Sequence, residues 1–167
     1  MAITTDMFMI WRRPDAVFRR KIGPDSTEGG ALAVVMTACG LMFVAQWPQL
    51  SRQAYLNGMS PEADTLPGLQ ALMGITFFAL IFIAPLVFYL VALLSGLVLR
   101  IVGWQIPPLK SRLALFWALL ATTPLMLFQG LLTGFSGPGP VIASVGMVIL
   151  VAFLWLWGRL LRVAYSS

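Results

Sequence analysis

From residue 69 to residue 99 the chain reads LQALMGITFFALIFIAPLVFYLVALLSGLVL, thirty-one residues without one charged side chain. As a helix this run measures roughly 46 Å, against about 30 Å for the hydrocarbon of a bilayer. Three further uncharged runs accompany it, at residues 31–48, 113–135 and 141–158. A soluble domain of 167 residues has too small an interior to hide so much apolar surface. With 59% hydrophobic and 10% charged residues and a mean hydropathy of +0.89, the chain reads as an all-α, polytopic transmembrane helical bundle.

Pro85 divides the long run into two pieces of about fifteen residues, each shorter than the roughly seventeen needed to cross. One long, tilted second span kinked at Pro85 is therefore preferred over a re-entrant hairpin. Charge supports that count. With four spans, the N-terminus, the connection at residues 100–112 and the C-terminus share one side. That side holds Arg12, Arg13, Arg19, Arg20, Lys21, Arg100, Lys110, Arg112, Arg159 and Arg162, and the other holds Arg52 alone. Basic residues accumulate on the cytoplasmic side, so both termini are expected there, in a plasma membrane. The chain divides into a basic N-terminal segment, 1–29, and a transmembrane domain, 30–167. Asp25 or Ser26 offers a cap for the first span, with Glu28 in its first turn. Trp47 and Pro48 mark that span's far interface, and residues 49–68 read as an irregular polar connection.

Five of the eleven basic residues fall within WRRPDAVFRRKIG, residues 11–23, just ahead of the first span. At 100° per residue, Met7, Trp11, Pro14, Phe18 and Ile22 fall on one narrow stripe, with Arg12, Arg13, Arg19 and Arg20 opposite. This predicts an amphipathic helix lying in the interface, its stripe toward the acyl chains and its arginines and Lys21 toward anionic headgroups. Proline is poor inside a helix but suits its first turn, so two short helices meeting at Pro14 are expected.

Chemistry is sparse. The chain has no histidine and one cysteine, Cys39, so a disulfide within the chain is excluded and no metal ligation or cofactor is expected. The basic pI near 10.2 belongs to residues that flank apolar runs, which points away from nucleic acid. MFMI ahead of the arginines is too short for the apolar core of a cleaved signal peptide. No Asp, Glu, Lys or Arg lies within a proposed span, which argues against ion-coupled transport, and no catalytic motif is present, so an enzyme is not expected. The polar residues in the spans serve packing: Thr122 and Thr123 can satisfy carbonyls freed by Pro124, and Gln129 faces another helix. Small residues at spacing four, Ala92 with Gly96, Ala118 with Thr122 and Gly130 with Gly134, permit close helix approach within the chain or between copies. The tryptophans read as interfacial belt residues, with Trp117 slightly deeper.

RRPDAVFRRK before the first span, a long apolar run closing on VLRIVGWQIPPLKSRLALFWALLATTPLMLF, then GPGP and a last span rich in Trp and Leu together resemble bacterial members of the Yip family, the Ypt-interacting proteins. The matching positions are Gly103 and Lys110 in the basic turn and Pro124 within the following helix. The resemblance implies a polytopic, non-enzymatic membrane protein with a cytoplasmic N-terminus. Eukaryotic relatives are associated with Rab-type GTPases and vesicle traffic. That association is not carried over to the roughly thirty residues ahead of span one, and the family's usual five spans differ from the four favoured by charge here. The expected role is a membrane scaffold or adaptor working through lipid and helix contacts, including contacts between copies of the chain. Alternatives are an accessory subunit of a larger respiratory or photosynthetic complex, or a carrier or channel for a neutral solute.

Overall fold

The computed structural model describes residues 9–23, 26–101, 103–104 and 106–166. Met7 and Asp25 lie outside these. After a helical turn at residues 9–12 come α1 (Pro14–Lys21), α2 (Glu28–Gly58), α3 (Leu69–Ile101), α4 (Pro108–Ser136) and α5 (Pro140–Tyr165). No strand occurs among the described residues, and α2 to α5 are each long and apolar enough to cross a membrane. The all-α, four-span architecture read from the sequence is the one found.

Helix α4 is the centre of the bundle. Every residue from 113 to 123 is buried, which a helix achieves only when neighbours cover it on all sides. Its largest interface is with α2, followed by α5 and α3. Against it α2 presents Ala31, Val35, Ala38, Met42 and Ala45, spaced four, three, four and three. That spacing keeps one narrow face toward α4, and its mostly small residues allow a close approach. Further along α4 the approach is closer still. A Cβ on Gly130 would overlap the Ala45 carbonyl, and one on Gly134 would overlap the Pro48 ring and stand 3.1 Å from the Pro48 carbonyl carbon.

Three prolines interrupt helical ladders, and each break has a local remedy or context. Pro124 leaves the carbonyl of Leu120 without its usual donor. The Thr123 hydroxyl donates to that oxygen at 2.8 Å, and Thr122 donates to Leu119 at 2.8 Å. Before Pro85 the backbone widens into a π-helical turn, Ala79–Ile83, in which the Ala84 N–H donates to Ala79. Such a turn rearranges the ladder where proline has no N–H to contribute, so α3 continues as one 33-residue helix. Pro48 does not end α2. The helix carries on to Gly58, correcting the expectation of an irregular connection from residue 49. The Pro48 ring seats against Gly134 of α4. The continuation also brings Arg52 within 3.5 Å of the Phe135 carbonyl, where a cation is favoured by the exposed C-terminal carbonyls of α4.

Two helix ends differ from, or sharpen, the sequence reading. Thr27, not Asp25 or Ser26, caps α2 by accepting from the Gly30 N–H at 3.1 Å. At the end of α3, Gly103 has φ +91°, its N–H donates to Arg100, and Trp104 donates to Leu99 at 2.8 Å. This pair of bonds closes the helix in a Schellman turn, which requires a left-handed residue and so favours glycine.

The α2–α4 crossing makes a direct prediction. Gly130→Ala should destabilise the bundle by about 1–3 kcal/mol through overpacking against a backbone carbonyl. Gly40→Ala, where an added Cβ meets nothing within 4 Å, should leave stability unchanged or slightly raised. Thermal unfolding of both variants in the same detergent makes the comparison.

The candidate membrane-interface site

The basic residues gather at one end of the bundle, and α1 organises them. Proline at the first position sets its start, Asp15 favours the first turn, and Arg19, Arg20 and Lys21 favour the last. Arg13, with φ −140°, separates this helix from the turn at residues 9–12. The side chain of Pro14 lies outside the description.

The apolar side of α1 faces protein. Phe18 is fully buried, and Ile10, Val17 and Ile22 are buried with it in the same cluster as α4 and the end of α5. This corrects the expectation that Phe18 and Ile22 point into lipid. Trp11 is half-buried, and its indole N–H donates to the Ala121 carbonyl of α4 at 2.9 Å, so it is a bundle contact and not a belt residue. Ile10 and Val17 widen the apolar face to about 140°, broader than the stripe read from the sequence, and a broad face is the signature of a helix packed on a core. They were the legible signal that the narrow stripe missed.

Relative to water, burying these side chains stabilises by at most about 1.5–3 kcal/mol each. Relative to acyl chains it gains almost nothing, because lipid is equally apolar. The choice between bundle and bilayer therefore falls to directional contacts. These are Trp11 to Ala121, the Asp15–Arg159 ion pair at 3.0 Å, the Arg19 bond to the Ser166 hydroxyl at 3.2 Å, and Lys21 5.0 Å above the Trp117 ring. The ion pair is exposed and contributes at most about 1 kcal/mol, so it sets register more than affinity. A second pair, Arg112–Glu28 at 2.6 Å, ties the starts of α4 and α2, and Trp104 stacks on Tyr165 with ring centroids 4.9 Å apart.

With its apolar face covered, α1 leaves Arg12, Arg13, Arg19 and Arg20 exposed. Arg12, Arg13 and Arg20 line an open cleft of about 420 Å³ floored by Ala16 and Val17. Arg19 joins Arg159 and Arg162 around a second of about 520 Å³ that also takes in Asp15 and Trp155. A surface of this kind attracts phosphate-bearing headgroups through long-range charge and bidentate guanidinium contacts.

The helix-packing residues distribute as follows. Gly130 and Gly134 make the α2 crossing. Gln129, half-buried, donates to the Ile142 carbonyl of α5 at 3.4 Å, over Gly146, whose added Cβ would stand 2.8 Å from the Gln129 amide nitrogen. Thr122 and Thr123 are fully buried beside Pro124, and Ala118 is buried one turn earlier. Ala92 is buried in the core, and Gly96 lies beside Ser111 of α4, whose hydroxyl would stand 3.7 Å from an added Cβ; both border a cleft against the start of α4. No family model, curated protein or solved structure matches the chain.

Docking through Phe18 is testable. Phe18→Ala removes a fully buried ring, a loss of about 3–5 kcal/mol when a core aromatic is truncated. Trypsin should then cut after Arg12, Arg19, Arg20 or Lys21 in detergent micelles at least about tenfold faster, whereas Met9→Ala, at an exposed position, should leave the rate unchanged.

Proposed function

We propose that the chain is a non-enzymatic integral membrane scaffold or adaptor of the Yip type, resident in the bacterial inner membrane with both termini in the cytoplasm. The orientation rests on charge. Ten basic residues fall on the side of the termini and Arg52 alone on the other. The observation that carries the reading is the docked α1. Its apolar face is covered by protein, so its arginines stand as a fixed basic array at the end of a membrane bundle. Such an array recruits anionic lipid, at about 1 kcal/mol per basic residue near the surface, and presents a shaped cytoplasmic face to a partner.

One observation favours a second reading, an accessory subunit of a larger membrane complex. Only 11% of the apolar window of α3 and of α5 is buried within the chain, against 50% for α4. Those outer faces suit lipid, a second copy or a neighbouring subunit equally well.

Isolation in native nanodiscs from its own membranes separates the two. The scaffold reading predicts recovery alone or as a small homo-oligomer enriched in anionic lipid. That enrichment should fall when Arg12, Arg13, Arg19 and Arg20 are all changed to Gln. Recovery at fixed ratio with a larger enzyme would replace it with the accessory-subunit reading.

A further inference from the structure

Between α3 and the start of α4 lies a cleft of about 240 Å³, separate from the arginine surface of α1. Its walls combine three features. Leu93 and Leu97, exposed on the outer face of α3, give it an apolar side. Gly96 leaves room beside the Ser111 hydroxyl, which would stand 3.7 Å from an added Cβ. Arg100 and Arg112 bring two guanidiniums to the rim.

The decisive side chain is Ser111. It is only 1% exposed, and its hydroxyl has no hydrogen-bond partner. Elsewhere Thr37, Ser95, Thr122, Thr123, Thr133 and Ser144 donate back to carbonyls of their own helices. Ser111 instead uses only its backbone N–H, to the Pro107 carbonyl. A buried hydroxyl without a partner costs about 1–3 kcal/mol, which calls for an explanation. Arg100 has no carboxylate partner among the described residues, and the Schellman turn at Gly103 fixes its position at the end of α3. Arg112 is engaged through one nitrogen by Glu28 at 2.6 Å and its guanidinium lies 5.7 Å from the Tyr89 ring centroid, which leaves the local charge of Arg100, Arg112 and Glu28 at plus one.

We propose that this cleft holds one anionic phospholipid. Its phosphate lies between Arg100 and Arg112 and accepts from the Ser111 hydroxyl, while an acyl chain runs along Leu97 and Leu93. Lipid is favoured over a free anion because the apolar wall continues from the phosphate position along the outer face of α3. The inference rests on the reading of this end of the bundle as the membrane surface, but concerns one stoichiometric site and not the diffuse attraction of α1.

The test is native mass spectrometry of the full chain in detergent, titrated separately with phosphatidylglycerol, phosphatidylcholine of the same acyl chains, and inorganic phosphate. One phosphatidylglycerol should stay bound on the order of tenfold more tightly than phosphatidylcholine. Arg100→Gln and Gly96→Leu should each weaken it by about tenfold, and Ser111→Ala by a few fold. Arg100→Gln should keep the wild-type unfolding temperature and Ser111→Ala should keep or raise it, since it removes an unpartnered hydroxyl, which separates loss of the site from loss of the fold. The fourfold Arg-to-Gln variant of α1 should retain this single lipid even where general anionic-lipid enrichment is lost, so the two ideas fail independently. Absence of a one-to-one lipid adduct, or an adduct indifferent to all three cleft variants, overturns the proposal. Displacement of the lipid by inorganic phosphate at comparable concentration overturns the lipid assignment in favour of a small-anion site.

Discussion

Helices inside a bilayer gain little from hiding apolar side chains from each other, because acyl chains solvate leucine as well as leucine does. What holds such a bundle is close backbone approach and the pairing of every polar group. The α2–α4 crossing meets the first demand. Gly130 and Gly134 let the backbone of Ala45 and Pro48 come where any side chain would intrude. With α2 seated there, the opposite sides of α4 are free to receive α5 and α3, α1 packs on α5 with Trp11 and Lys21 reaching α4, and residues 113 to 123 become the buried axis of the molecule.

The second demand explains the polar residues within the spans. A carbonyl orphaned in hydrocarbon costs several kcal/mol, so each proline must be compensated nearby. Pro124 is answered by Thr123 one residue away, and Pro85 by a π-helical turn just before it. Trp11 supplies a further donor to the Ala121 carbonyl, one residue past the oxygen freed by Pro124. The weakened stretch of α4 is thus also the place where the N-terminal segment is hooked to the bundle.

What could be read from the sequence was what depends on neighbours along the chain. Four uncharged runs, the single helix over residues 69–99 and the proximity of a hydroxyl to Pro124 are local facts. The destination of α1 was not local. An apolar stripe opposite arginines is the same pattern whether it rests on lipid or on protein, and only Trp11, Asp15 and Arg19, with partners 110 to 147 residues away, decide between them. The run of α2 past Pro48 was hidden for a related reason. A proline's cost is visible in the sequence, but the glycine that receives its ring lies on another helix. The cleft at Ser111 was similarly invisible, since Gly96 and Ser111 are brought together only by the turn between α3 and α4.

These threads meet in α1, which turns a stretch of positive charge into a positioned surface. If it is docked, its arginines hold a constant relation to Arg159 and Arg162; if it lies free in the interface, no such array exists. The measurement that separates these is chemical cross-linking of the full chain in nanodiscs, with Asp15→Cys and Arg159→Cys in a Cys39→Ser background. The account predicts rapid intramolecular joining by a short bis-maleimide, because the native side chains meet at 3.0 Å. Full labelling of both cysteines without an intramolecular link would contradict it and return α1 to the lipid surface.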